Sequence, residues 1–331
     1  MIVEFKDVYV KDTATVAGPY EAKGPLKKGF DKVYTKDLYC EAPSFEQAEA
    51  KLLEESIELL LEKTNQTQAA IDLIVGGDLL NQISASTYGL AQQNRPFLGI
   101  YSACATSIEG MLIAATFIDS KKIKTAIAAT SSHNMSSEKQ FRNPTEYGAP
   151  RPKTATFTAT GGASILLTNE KSNIKVKNGL IGTMINYEQK DPMNMGAAMA
   201  PAAATTLYQY FTKTNTTVDD FDLILTGDLG IYGKEILKDL LKQDHNITLK
   251  KNYNDCGVML YDLKKQKEIL AGGSGPVCSA LVNYSTIIKG LKDKTYKKVL
   301  LVATGALFSP TTLYQKLPIL SIAHAVCLEA I

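Results

Sequence analysis

The sequence predicts an α/β protein built from two copies of one unit, each a mostly parallel mixed sheet with helices on its faces. Two sets of observations carry this. The octapeptide Asp72-Leu73-Ile74-Val75-Gly76-Gly77-Asp78-Leu79 returns as Asp222-Leu223-Ile224-Leu225-Thr226-Gly227-Asp228-Leu229 at an offset of 150, with six of eight positions identical. Cys104 and Cys278 each open an apolar stretch of small residues, and Ala129-Thr130 and Ala303-Thr304 each close an apolar run, both at an offset of 174. The order of landmarks is kept while 24 residues are added in the second copy, and the lysine-rich stretch 250–267 is the natural place for them. A chain of 331 residues is about what two fused domains need, and the division is set at 1–171 and 172–331.

The elements follow in order. Residues 1–10 alternate apolar positions with Glu4, Lys6 and Asp7 and read as a strand and not as a signal peptide, so export is not expected. Ser44 and Gln47 have capping-box spacing, and Ala48, Leu52, Ile57 and Leu60 share one face, which predicts a helix over 45–63. Strands at 71–75, 96–101 and 125–129 then enclose a buried helix at 105–119. The second copy repeats this with helices at 202–211, 233–241 and 279–288 and strands at 223–226 and 298–303. Two such halves packed together bury a central helix pair.

Composition excludes several functions. Lys+Arg minus Asp+Glu is 36 − 34 = +2, too balanced for a chain that grips nucleic acid by charge, so no nucleic-acid partner is expected. The five cysteines at 40, 104, 256, 278 and 327 are widely spaced with no C-x-x-C pair, fitting neither a disulfide framework nor a zinc site and suiting a reducing compartment. The longest uncharged stretches, 195–211 and 269–288, are diluted by Gly, Ser, Pro, Asn, Thr and Gln, so any membrane role is peripheral.

A duplicated α/β chain with a cysteine where a strand turns into a buried helix resembles the thiolase and ketosynthase superfamily. Tyr101-Ser102-Ala103-Cys104-Ala105-Thr106-Ser107 is similar to its nucleophile turn, and Asp191-Pro192-Met193-Asn194-Met195-Gly196 to its D-P-x-x-M-G segment. The segments Gly77-Asp78-Leu79-Leu80-Asn81-Gln82, Ser131-Ser132-His133-Asn134, Gln140-Phe141-Arg142, Gly272-Gly273-Ser274-Gly275 and Ala303-Thr304-Gly305-Ala306-Leu307 further resemble the stage V sporulation protein AD family of spore-forming bacteria. That resemblance implies a layered αβαβα fold with two sheets around central helices. It also implies a role in moving dipicolinic acid, pyridine-2,6-dicarboxylate, into the developing spore and releasing it on germination, beside membrane proteins of the same operon. A cytoplasmic or forespore location at the inner spore membrane follows from the same resemblance, and a homodimer by analogy with the superfamily. No cofactor or resident metal is implied.

Superfamily chemistry needs a thiolate and groups that take its proton and hold an oxyanion. Cys104 supplies the first, and the positive end of a helix dipole favours its thiolate. Its partners are replaced: Gly227-Asp228-Leu229-Gly230 stands where related enzymes carry an Asn or His motif, and Ser274 stands where thiolases carry His. The expectation is therefore a ligand-binding pocket and no catalytic residue. Cys104, Ser274, Asp191, His133, His324 and Arg142 are the candidate ligand contacts, with backbone N–H groups around Cys104 and at 272–275 as anion donors. Calcium is the ion expected to bridge Asp191 and a chelated ligand, against the alternative that Asp191-Pro192 only begins a turn before a helix. His133 is alternatively a hydrogen-bonded loop residue, Arg142 and Arg151 exposed or at a lid or subunit contact, and His245 a solvated surface residue. Met193, Met195 and Met199 read as packing. Two other functions compete, a Cys104-dependent acyl-CoA condensing or acyl-transfer enzyme and a structural adaptor of a membrane channel complex.

Overall fold

The structure is a computed structural model that describes residues 1–141 and 151–331. Its first half contains strand β1 (Tyr9–Ala17), helix α1 (Phe45–Thr64), strands β2 (Leu73–Gly77) and β3 (Phe97–Gly99), helix α2 (Thr106–Asp119), strand β4 (Thr125–Ser132), helix α3 (Asn134–Phe141) and strand β5 (Gly161–Thr168). The second half contains β6 (Ile174–Leu180), α4 (Met195–Thr214), β7 (Leu223–Thr226), α5 (Gly230–His245), β8 (Tyr253–Asp255), α6 (Pro276–Val282), β9 (Lys298–Leu307) and β10 (Leu320–Ala330). Residues 171 and 172 lie in the turn between β5 and β6.

The duplication holds in detail. Helices α1 and α4 begin and end 150 residues apart, each opened by a side-chain cap, Ser44 or Asn194, and closed by a left-handed asparagine, Asn65 or Asn215. The repeated octapeptide opens on an acid for a reason visible in both copies. Asp72 accepts from the N–H groups of Lys124 and Thr125 at 2.8 and 3.1 Å, and Asp222 from those of Lys297 and Lys298 at 2.6 and 2.9 Å. Each acid thereby pins the start of the neighbouring strand. That strand sits at an offset of 173, since Leu73 pairs with Ala126 and Leu223 with Val299, one residue less than the 174 read from the Ala-Thr landmarks.

Strand order is the same in both halves, β1-β5-β4-β2-β3 and β6-β10-β9-β7-β8. In each, the outer three strands are parallel and the inner pairings antiparallel. The two expected sheets run into one another at their first strands, where Tyr9 pairs with Lys175. Alternate residues of each strand face opposite layers: Ile74 packs with Leu53, Ile57 and Leu60 of α1, while Val75 faces Ile108 and Met111 of α2. Likewise Ile224 packs on the α4 side and Leu225 towards α6, so outer helices, sheet, central helices, sheet and outer helices form the αβαβα stack. The expected helix over 279–288 departs from regularity after Val282 into a π-helical turn, Asn283–Ile287, whose Tyr284 carbonyl accepts from Thr13 Oγ1 at 2.7 Å.

Candidate functional site

Cys104 stands in the single turn Ala103–Ala105 that leads into α2. Ala103 is forced to φ 48°, a left-handed conformation costly for a residue with a Cβ, and Thr106 braces it by accepting from Ser102 N at 3.1 Å and donating to Ala103 O at 2.7 Å. Gly305 of β9 lies directly beneath, where a Cβ would come within 2.2 Å of the Ser102 carbonyl. The turn therefore rests on bare backbone and presents the sulfur to a cavity of about 100 Å³. Among the described residues the cavity is walled by Tyr101, Phe141, Phe308, Met193, Met195 and Met199, with Ser137, Glu138, Thr156, Thr158 and Ser274 as its polar positions. The three methionines thus line the cavity instead of only packing behind it.

Beneath the sulfur lies a buried hydrogen-bond cluster. Ser274 Oγ is 3.8 Å from Cys104 Sγ and donates to Asp228 Oδ2 at 3.1 Å, which also accepts from Gly275 N at 3.3 Å. Asp228 Oδ1 accepts from Thr304 Oγ1 at 2.7 Å. Burial pushes the Asp228 carboxyl up to about 7, aided by the neighbouring charge of Asp255 and opposed by its donors. Burial likewise raises the Cys104 thiol well above the ordinary cysteine value, with the Asp228 charge and hydrogen bond adding to it. This overturns the expectation of a dipole-favoured thiolate, because desolvation and a facing carboxylate outweigh the helix end.

Ser274 is brought to Cys104 as expected, while the other candidates among the described residues do not line the cavity. His133 is fully buried away from the cavity, its Nε2 donating to Leu38 O at 2.7 Å and its Nδ1 accepting from Met135 N at 3.1 Å. His324 Nδ1 accepts from Gly182 N at 3.2 Å and its Nε2 faces Ser102 Oγ at 3.4 Å, and it is not among the residues that line the cavity. Burial lowers both imidazoles to about 4, so they stay neutral at ordinary pH. Asp191 is exposed and turns back on its own chain, accepting from Met193 N at 2.8 Å; the segment reaches the cavity through Pro192 and Met193. It begins the turn before α4. Arg151 pairs with Glu138 at 2.7 Å, and His245 stacks on Tyr208 with ring centroids 3.8 Å apart. Arg142 lies outside the described residues. The Gly275 amide, expected as an anion donor, is committed to Asp228.

Asp228 is the residue that sequence reasoning passed over. Its signal was the repeat itself, for Asp78 occupies the same place in the first copy and is equally buried. There the carboxylate holds a loop, accepting from Leu80 N and Ser86 N at 2.7 Å each. Among the described residues no group of three or more His, Cys, Asp or Glu is arranged to hold a metal ion, and no helix is long and apolar enough to cross a membrane.

The geometry has known counterparts. The chain shares its fold with 3-oxoacyl-[acyl-carrier-protein] synthase III from Aquifex aeolicus VF5, at a TM-score of 0.57 and 13% identity over 97% of this chain and 99% of that one. Cerulenin-bound OleA of Xanthomonas campestris gives a TM-score of 0.63 and 13% identity over 98% and 97%. Stage V sporulation protein AD of Bacillus subtilis (strain 168) is 44% identical over 322 residues, 97% of this chain and 94% of that protein. Residues 2–329 match the family model described as Stage V sporulation protein AD (SpoVAD). The chain belongs to the stage V sporulation protein AD family, on a thiolase-like fold.

Proposed function

We propose that this chain is a non-catalytic, thiolase-like binding protein that holds dipicolinate, alone or as its calcium chelate, in the cavity above Cys104. It would serve uptake of that acid into the developing spore and its release on germination, with membrane proteins of the same operon as partners. The observation that carries the reading is the surrounding of Cys104: the thiol faces Ser274 and a buried acid, and no described residue lining the cavity is a histidine. A nucleophile needs its proton removed, and these neighbours retain it. The slot itself suits a flat aromatic acid. Tyr101, Phe141, Phe308 and the methionines offer ring-sized apolar walls, Thr156 and Thr158 offer hydroxyl donors, and the start of α2 offers a positive dipole end.

The test is equilibrium binding of dipicolinate to the purified protein with and without calcium, beside acetyl-CoA as acyl donor. Saturable binding with no acylation supports the reading. Acylation of Cys104 without dipicolinate binding overturns it in favour of an acyl-transfer enzyme, and binding of neither favours a structural adaptor.

A further inference from the structure

The cluster beneath the cavity has a direction. While Asp228 is ionised, its oxygens gather the hydrogens of Thr304, Ser274 and the Gly275 amide, and the Cys104 thiol lies 3.8 Å from the same Ser274 hydroxyl. Ser274 and Cys104 then point their hydrogens down and away from the cavity. What the floor presents is the lone pairs of Oγ and Sγ above a buried negative charge. A carboxylate placed there meets repulsion from all three.

The neighbouring acid Asp255 is built differently. It accepts from Leu229 N at 2.9 Å, Gly230 N at 3.0 Å and Thr226 Oγ1 at 2.7 Å. Burial raises the Asp255 carboxyl, but backbone amides only donate, so two of its three hydrogen bonds favour the carboxylate and Lys234 adds to them. Asp228 instead is held mainly by hydroxyl rotors, those of Ser274 and Thr304, which donate or accept according to what faces them. The thiols of Cys104, Cys256 and Cys278, which also face Asp228, are kept neutral by burial. Asp228 is therefore the group in this cluster able to exchange a proton near neutrality.

We infer that a carboxylate ligand enters the cavity together with one proton, which Asp228 takes up from solvent, reversing the hydrogen bond to Ser274. The new carboxyl O–H donates across the 3.1 Å contact to Ser274 Oγ, and the serine hydrogen swings up to donate to the ligand. One O–H bond forms on Asp228, the buried negative charge is cancelled, and no other covalent bond changes. This rests on the dicarboxylate-binding reading above and adds a proton to it. Asp228 becomes a specificity residue that makes affinity a function of pH.

Calorimetric titration with dipicolinate, repeated in buffers of different ionisation enthalpy between about pH 6 and about pH 8.5, counts the protons taken up. Both ligand carboxyls are already ionised there. The expected result is uptake approaching one proton per ligand at the alkaline end, with affinity falling about tenfold per pH unit above the Asp228 titration. Asp228→Asn, neutral at every pH, is expected to bind with almost no proton uptake and a flat profile. Wild-type binding with no net uptake and a flat profile overturns the inference while leaving the binding reading intact. Persistent uptake in Asp228→Asn overturns the assignment to that residue, and if this variant does not fold the wild-type proton count decides alone. Absence of binding at every pH overturns the dicarboxylate reading and this inference with it.

Discussion

The Oγ atoms of Ser107 and Ser279 meet 2.9 Å apart where α2 and α6 touch, so a side-chain hydrogen bond ties together the two central helices. Both residues are buried, and Ser279 also donates to the Pro276 carbonyl at 3.3 Å. Ser107→Ala and Ser279→Ala are each expected to lower unfolding free energy by about 1 kcal/mol. A double-mutant cycle on urea midpoints should return a coupling of about 0.5 kcal/mol or more, and strict additivity would show that the bond adds nothing.

Cys104 is expected to be a slow thiol. With its ionisation pushed up by burial and by Asp228, each pH unit of displacement costs about tenfold in thiolate. All five cysteines are buried and unpaired, so iodoacetamide at mildly alkaline pH should label the native protein far more slowly than the urea-unfolded chain. Rapid labelling confined to Cys104 would contradict a thiol held neutral above the Ser274–Asp228 cluster.

Glu21 should make stability depend on pH. It is fully buried with Oε1 bonded to Tyr261 and Thr160 while Oε2 has no partner, and burial pushes its carboxyl up to about 7 from the ordinary 4.5. A raised acid favours the folded state when protonated. Its contribution is therefore lost as pH rises from about 4.5 to about 7 and stays lost above. Glu21→Gln should remove this slope, gaining on the wild type by up to about 3 kcal/mol across that window in urea titrations. Parallel curves for the two proteins would show that Glu21 is not the source.

Gly305→Ala should disturb the Cys104 turn from beneath. The added methyl group would meet the Ser102 carbonyl at 2.2 Å, forcing β9 and the turn apart at a cost of about 1–3 kcal/mol. A melting temperature equal to that of the wild type would mean the turn yields freely, against the close fit described.

Much of the fold was legible because duplication writes the same instructions twice. Ser44 announces the first helix and the repeated octapeptide two strand junctions, at Asp72 and Asp222, whereas Asn194 went unread as a cap and the second helix, expected over 202–211, begins at Met195. The site was legible only at Cys104 and Ser274, whose motifs are local although they stand 170 residues apart. What could not be read was orientation. His324 reaches Ser102 across 222 residues of chain without lining the cavity, and Asp191 accepts from its own turn while Met193 lines the cavity. Periodicity and motif order place a residue on a loop; which side of the loop its side chain leaves is set by packing that the chain supplies from elsewhere.

The octapeptide repeat leaves the molecule with its own reference standard. Asp78 and Asp228 descend through the same eight residues and are both buried, but the first is clamped by two backbone amides and the second mainly by groups free to rotate. Burial raises both carboxyls, so a spectroscopist following their protonation would read the difference between the two holds directly. Any change of solvent, temperature or mutation that moves both together acts on the whole protein, and any change that moves Asp228 alone acts at the cavity.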